Sequence, residues 1–175
     1  NPLRGIWRNG GAATNCWMSI PSAYAAEILA HQGWDSLTID MQHGPIDEAA
    51  AYAMIQATAA TPTVPLVRVP WTHPPSIMSA LDAGAGGVIC PMVNTAREAA
   101  RFVGACRYPP LGYRSNGPNR VALEHKNYGA TANEFVITFA QIESAEAMDN
   151  LDEICAVEGL DAVLLGPSDL ALSLG

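Results

Sequence analysis

Lysine is nearly missing from this sequence: Lys126 is the only one in 175 residues. Lysine and arginine together number nine against seventeen acidic residues, giving a net charge of −8 and a pI near 4.8. Phosphate would be repelled by such a surface, which argues against a general nucleic-acid or anionic-membrane binder. There is no basic run, no heptad repeat, no apolar stretch of transmembrane length and no signal-peptide pattern at the start. The four cysteines, Cys16, Cys90, Cys106 and Cys155, are far apart and form no C-x-x-C pair. That pattern reads as free buried thiols in a reducing cytosol, without a zinc site. Neither G-x-G-x-x-G nor G-x-x-x-x-G-K-[ST] occurs, which argues against nucleotide binding.

What is present is ordinary globular composition, 49% hydrophobic and 15% charged, and enough chain for one domain over 1–175. The organising stretch is Ser36-Leu-Thr-Ile-Asp-Met-Gln-His-Gly-Pro-Ile-Asp47. It reads as an apolar strand halted by Gly44-Pro45, followed by a helix capped by Asp47. The same beat runs through the chain. Asn1-Pro2 opens a short helix that closes at Gly10-Gly11. Strands are expected at Thr14–Ile20, Ser36–Met41, Val64–Val69, Gly87–Val93, Phe135–Ile142 and Ala162–Gly166. Helices are expected at Ala23–His31, Asp47–Thr61, Pro74–Asp82, Ala96–Cys106, Ser144–Val157 and from Ser168 to Leu174. Between Arg107 and Asn133 the rhythm breaks into a Pro- and Gly-bearing stretch with no long periodic element, of a length that tends to be functional. Strands too apolar for a wet face imply a parallel sheet covered on both sides. Such a sheet closes either as a doubly wound open sheet or as part of a (β/α)8 barrel. A barrel would need strands beyond Gly175, and the chain stops in mid-element, so truncation at the C-terminal end is the expectation.

In parallel α/β proteins, chemistry is placed at the carboxyl ends of the strands. The polar residues there are Asp40 and His43, Arg68, Gln141 and Glu143, and Ser168 with Asp169. Glu143 and Asp169 each follow an apolar strand. Two such carboxylates bind a divalent metal, share a proton or act as an acid/base pair, unless both are merely helix caps. An oxygen-seeking ion such as Mg²⁺ or Mn²⁺ would keep sites open for water and substrate. Arg68 ends an apolar strand and is suited to bidentate binding of a substrate carboxylate. Asp82 either orients a histidine and fixes its tautomer or is a helical surface acid. His31, His73 and His125 read as surface residues.

Asp40-Met-Gln-His43, Pro65-Leu-Val-Arg68, Arg107-Tyr-Pro-Pro-Leu-Gly-Tyr-Arg114, Gln141-Ile-Glu143 and Gly166-Pro-Ser-Asp169 with the Leu-Ala-Leu-Ser-Leu-Gly175 that follows resemble the HpcH/HpaI aldolases. These are class II 2-keto-3-deoxy acid (4-hydroxy-2-oxo acid) aldolases of the pyruvate/phosphoenolpyruvate barrel superfamily. The resemblance keeps the order and approximate spacing of every motif over nearly the whole chain. It implies a (β/α)8 TIM barrel, of which this chain supplies the N-terminal helix and the first six βα units. It also implies a divalent metal (Mg²⁺, Mn²⁺ or Co²⁺) and reversible cleavage of a 4-hydroxy-2-oxo acid to pyruvate, or a close analogue, and an aldehyde.

By position, Glu143 and Asp169 match the family's metal ligands, and Arg68 the arginine that holds the pyruvyl group. His43 matches the acid/base histidine, Asp82 its partner carboxylate, Gln141 a pocket glutamine, and Ser168 falls in the substrate-binding turn. A cytoplasmic homo-oligomer, trimer or hexamer, follows from the same resemblance. The sequence departs from the pattern at Gln42, where many members carry glutamate, and at Ser115 after Arg114, where Arg-Gly is commoner. The chemistry agrees. Cleaving a C–C bond beside a carbonyl leaves an enolate, which enzymes stabilise through a lysine imine or a metal. Lys126 lies in the long irregular stretch, not at a strand end, so the metal route is left. The alternatives are another metal-enolate C–C lyase (citryl-lyase-like, or decarboxylating in the manner of macrophomate synthase) and a non-catalytic barrel subunit.

Overall fold

A computed structural model describes all of residues 1–175. Six strands form one all-parallel sheet in the order β1 (Asn15–Met18), β2 (Ser36–Asp40), β3 (Val64–Arg68), β4 (Gly87–Cys90), β5 (Ile137–Ile142) and β6 (Ala162–Leu165). Spatial order equals sequence order, which is how a barrel is laid down and not how a doubly wound sheet is, where the order reverses. β1 and β6 are the two edges. The strands run one to three residues shorter than their apolar runs, because the flanking residues turn into the loops at each mouth.

Helices α2 (Ala23–Ala30), α3 (Glu48–Thr58), α4 (Pro74–Ala83) and α5 (Ala96–Cys106) return the chain between strands. Their starts follow the caps read in the sequence: Ser22, Asp47 and Thr95 each accept a main-chain N–H, and Thr95 with Glu98 forms a full capping box. These helices and the sheet's outer face enclose one core of 29 buried residues. All of β2 is buried, as a strand covered on both faces must be. A smaller core, Leu3, Val64, Leu66 and Ile137, lies where α1 (Pro2–Arg8) crosses the amino ends of the strands. Asn1 is tied there by its side-chain amide to the carbonyls of Gly86 and Phe135.

Several local expectations need correction. The segment after α5 holds no long periodic element, as expected, but it contains two short helices, α6 (Val121–Glu124) and α7 (Tyr128–Phe135), too weakly capped to register in the sequence. Phe135 therefore ends a helix and does not begin β5. The helix expected over Ser144–Val157 is two, α8 (Ala145–Asp149) and α9 (Leu151–Cys155), broken at Asn150, whose side chain bonds the carbonyl of Asn94. Of the cysteines, Cys90 and Cys106 are buried, Cys16 is half-buried and Cys155 is exposed, all free. His31 and His73 are on the surface, but His125 is half-buried with its ring against Phe135.

Candidate active site

The last register pair of β2 and β3 is Asp40 opposite Arg68. Both side chains are buried at the carboxyl ends of their strands, where an unpaired charge would be costly, and they satisfy each other. Arg68 Nε donates to Asp40 Oδ1 at 2.9 Å and Nη2 to Oδ2 at 2.6 Å. Asp40 also accepts the indole N–H of Trp17 at 3.2 Å and the main-chain N–H groups of Gln42 and His43 at 3.0 and 3.3 Å. Burial alone would raise the Asp40 pKa. The hydrogen bonds from Arg68, Trp17 and the His43 amide outweigh it and hold the carboxyl below the ordinary range. The Trp17 ring lies under the guanidinium, 4.8 Å from centroid to Cζ.

From Arg68 the network continues to β5. Nη1 faces Gln141 Oε1 at 3.5 Å, and Gln141 Nε2 donates to Glu143 Oε2. The other oxygen of Glu143 accepts the main-chain N–H of Met92 at 2.7 Å. Gln141 and Glu143 are 3% and 2% exposed, so this carboxylate is held inside the rim and not in solvent. The turn after β6 passes close over it: a Cβ at Gly166 would lie 2.6 Å from Glu143 Oε2, which only glycine avoids. Gly166 leads into α10 (Pro167–Leu174), with Ser168 and Asp169 in its first turn, both exposed.

Neither Glu143 nor Asp169 caps a helix. Ser144 caps α8, and Asp169 lies inside α10. The donors around this corner are all oxygens, and no three His, Cys, Asp or Glu side chains form a closed ligand set. Two carboxylates, with water and substrate completing the shell, suit an oxygen-seeking divalent ion, so the residues fit the implied metal. Each Glu143 oxygen accepts one hydrogen bond, which leaves lone pairs for such an ion.

The remaining assignments divide. His43 is exposed in the loop after β2, one turn from the Asp40–Arg68 pair, and its ring makes no hydrogen bond within the chain. Asp82 is not its partner here. α4 runs antiparallel to the strands, so Asp82, near its end, lies at the amino end of the sheet, away from the rim. There its Oδ1 accepts Arg114 Nη2 at 2.6 Å. Burial raises the Asp82 pKa, and the ion pair with Arg114 offsets this only in part. Trp17 and Met92 were missed by sequence reasoning. Trp17 reads as one more apolar residue in a strand, and the Met92 contact is made by the main chain, which no side-chain pattern reports.

Fold and rim together define a parallel α/β protein with a buried cluster of charged and polar side chains at the carboxyl ends of its strands. The chain belongs to the HpcH/HpaI aldolase/citrate lyase family, whose model matches residues 13–175. The hydroxypyruvate/pyruvate aldolase of Rhizorhabdus wittichii is 44% identical over all of this chain and 70% of its own length. The 2-keto-3-deoxy-L-rhamnonate aldolase of Escherichia coli is 40% identical over all of this chain and 67% of its own. Among solved structures, a family member from Burkholderia cenocepacia superposes with a TM-score of 0.92 at 38% identity, covering 100% of this chain and 72% of that one. Macrophomate synthase superposes at 0.88 with 29% identity, covering 99% of this chain and 62% of that one. The chain is accordingly a carbon–carbon lyase of the aldolase type.

Proposed function

We propose that the protein is a divalent-metal-dependent class II pyruvate aldolase, cleaving a 4-hydroxy-2-oxo acid reversibly to pyruvate, or a close analogue, and an aldehyde. The observation that carries this reading is the unbroken hydrogen-bond chain Trp17–Asp40–Arg68–Gln141–Glu143–Met92, which sets a cation beside a tethered carboxylate at one rim.

A guanidinium has five N–H donors. Asp40 takes two and Gln141 faces a third, so two remain for the carboxylate and enolate oxygens of the substrate. Because Asp40 stays ionised and fixes Arg68 from behind, the guanidinium binds without reorganising. Gln141 orients both Arg68 and Glu143. His43, with a free ring at the edge of the rim, takes and returns the proton of the 4-hydroxyl. A divalent ion held by Glu143 and Asp169 would, when bound, supply the Lewis-acid charge that stabilises the enolate. Lys126 is exposed between α6 and α7, at the amino end of the sheet, so no amine stands at the rim to form an imine. The same reading has the sheet closed as a (β/α)8 barrel and the barrels assembled as a trimer or hexamer.

Removal of metal by chelator is expected to abolish activity, and Mg²⁺, Mn²⁺ or Co²⁺ to restore it. Borohydride with pyruvate should leave the protein unmodified, and a pyruvyl adduct trapped on Lys126 would overturn the mechanism. The likeness to macrophomate synthase keeps a decarboxylating C–C bond former as the second reading. Product analysis separates the two: turnover of oxaloacetate, without formation of the hydroxy-oxo acid from pyruvate and aldehyde, would favour the second.

A further inference from the structure

Met92 enters the network above only through its main-chain N–H, yet its backbone is the least expected in the chain. Its φ is +54°, and the only other non-glycine residue with positive φ is Asn127. Asparagine enters the left-handed region readily, whereas methionine does so at a steric cost, its Cβ crowding a carbonyl oxygen. Such conformations persist where the surroundings over-determine them, and they concentrate at functional sites.

The surroundings are specific. β4 stops at Cys90, and Pro91 has no N–H to continue the ladder. The left-handed turn at Met92 then presents two successive N–H groups to the end of β5. That of Met92 meets Glu143 Oε1 at 2.7 Å, and that of Val93 meets the Gln141 carbonyl at 3.4 Å. The next residue is fastened to the far side of the same corner. Ser144 Oγ donates to Asn94 Oδ1, and Asn150 Nδ2 donates to the Asn94 carbonyl at 2.9 Å. With Gln141 holding Oε2 and the Met92 N–H holding Oε1, the carboxylate of Glu143 is fixed at both oxygens.

We propose that Met92 is a positioning residue, whose left-handed backbone aims its N–H at Glu143 and so presets that carboxylate for a divalent cation. The inference rests on reading Glu143 as a metal ligand. The strain at Met92 is what keeps the N–H turned toward the carboxylate. A residue that refuses positive φ swings the N–H away and frees Glu143 to rotate.

The test is direct Mn²⁺ binding to the intact protein, by electron paramagnetic resonance or calorimetry, alongside thermal melting. Met92→Gly accepts positive φ and keeps the N–H, so its Mn²⁺ affinity should stay within about threefold of the parent. Met92→Val, or Met92→Thr if the valine variant does not fold, resists positive φ and should bind Mn²⁺ about tenfold more weakly, the usual scale for loss of a ligand's orienting partner. Equal affinity in all variants, with only the melting temperature moved, would make Met92 a structural residue and overturn the proposal. Equal loss in the glycine and β-branched variants would overturn it too, assigning the effect to the thioether side chain. Glu143→Gln separates the two layers. If it binds Mn²⁺ as the parent does, the ligand assignment itself falls and the proposal with it. If it loses Mn²⁺ while Met92→Val does not, only the role of Met92 falls.

Discussion

Arg68 is at once half of a buried ion pair and the proposed substrate clamp, and its replacement acts on both. Arg68→Ala strands the Asp40 carboxylate, 2% exposed, and removes the charge facing the enolate. Truncating one partner of a buried pair costs roughly 3–5 kcal/mol of stability. The accompanying fall in kcat/KM is expected to be on the order of 10² or more. Steady-state kinetics on folded enzyme, checked by circular dichroism, separates the two effects. His43→Ala should instead retain pyruvate binding and slow cleavage, since its exposed ring supports no other side chain; unchanged cleavage would remove it from proton transfer. Trp17 offers a finer probe. Trp17→Phe keeps an aromatic face under the guanidinium and deletes the N–H to Asp40, so it should lower kcat/KM by less than Trp17→Ala, which loses both. Equal effects would mean that the indole N–H alone matters.

At the scale of elements, the long segment between α5 and β5 belongs to the amino end of the sheet, because it follows a descending helix and precedes an ascending strand. In a parallel α/β sheet that end serves stability, and its contents agree. Arg114 is fully buried between the rings of Tyr108 and Tyr128, 4.5 and 5.4 Å from their centroids, and bonds Asp82 on α4 and the Tyr128 hydroxyl. Lysine in its place would keep the charge and lose the planar fork, so Arg114→Lys should destabilise by about 2–3 kcal/mol, read as an earlier unfolding midpoint in denaturant.

A second latch at this end is Asp161, which accepts Arg4 of α1 at 2.7 Å and Arg107 at 3.0 Å. Burial would raise its pKa, but the bond from Arg4, the Thr138 N–H and the charge of Arg107 hold it below the usual carboxylate range. A depressed carboxyl contributes stability that is fully present above the unfolded value and is lost as pH falls through the folded one. Asp161→Asn should therefore flatten the acid limb of the stability curve below about pH 4. A limb of unchanged slope would show that other carboxylates set it.

These elements also show what a sequence discloses. The βα beat and its caps were legible because apolar runs and Ser22, Asp47 and Thr95 are local signals. Residues at strand ends were legible because parallel topology sends them to one rim. The pairing of Asp82 with Arg114 was not legible because it depends on the direction in which α4 runs, which no motif records. Met92 and Gly166 act through main-chain geometry, and Trp17 through a single N–H, so nothing in their spacing announces them.

At the scale of the whole molecule, the sheet is open between β1 and β6, and the open side is apolar. β6 leaves Val163 and Leu165 at 37% and 60% exposure, and α10 buries nothing, with Leu172 and Leu174 at 82% and 64%. The concave inner face holds a cavity of about 250 Å³ among Leu3, Trp7, Trp17, Leu66, Phe139 and Leu164. Exposed apolar edges recruit other chains, and barrel closure abolishes them. We propose that in the functional protein these edges are covered by two further βα units, as a (β/α)8 barrel requires. Residues 1–175 expressed alone are then expected to be insoluble or molten, whereas the closed protein should melt cooperatively. Size-exclusion chromatography and thermal melting of the 1–175 segment decide this. A monodisperse, cooperatively melting monomer would mean that six strands suffice as an open sheet, and the barrel assignment would have to be withdrawn.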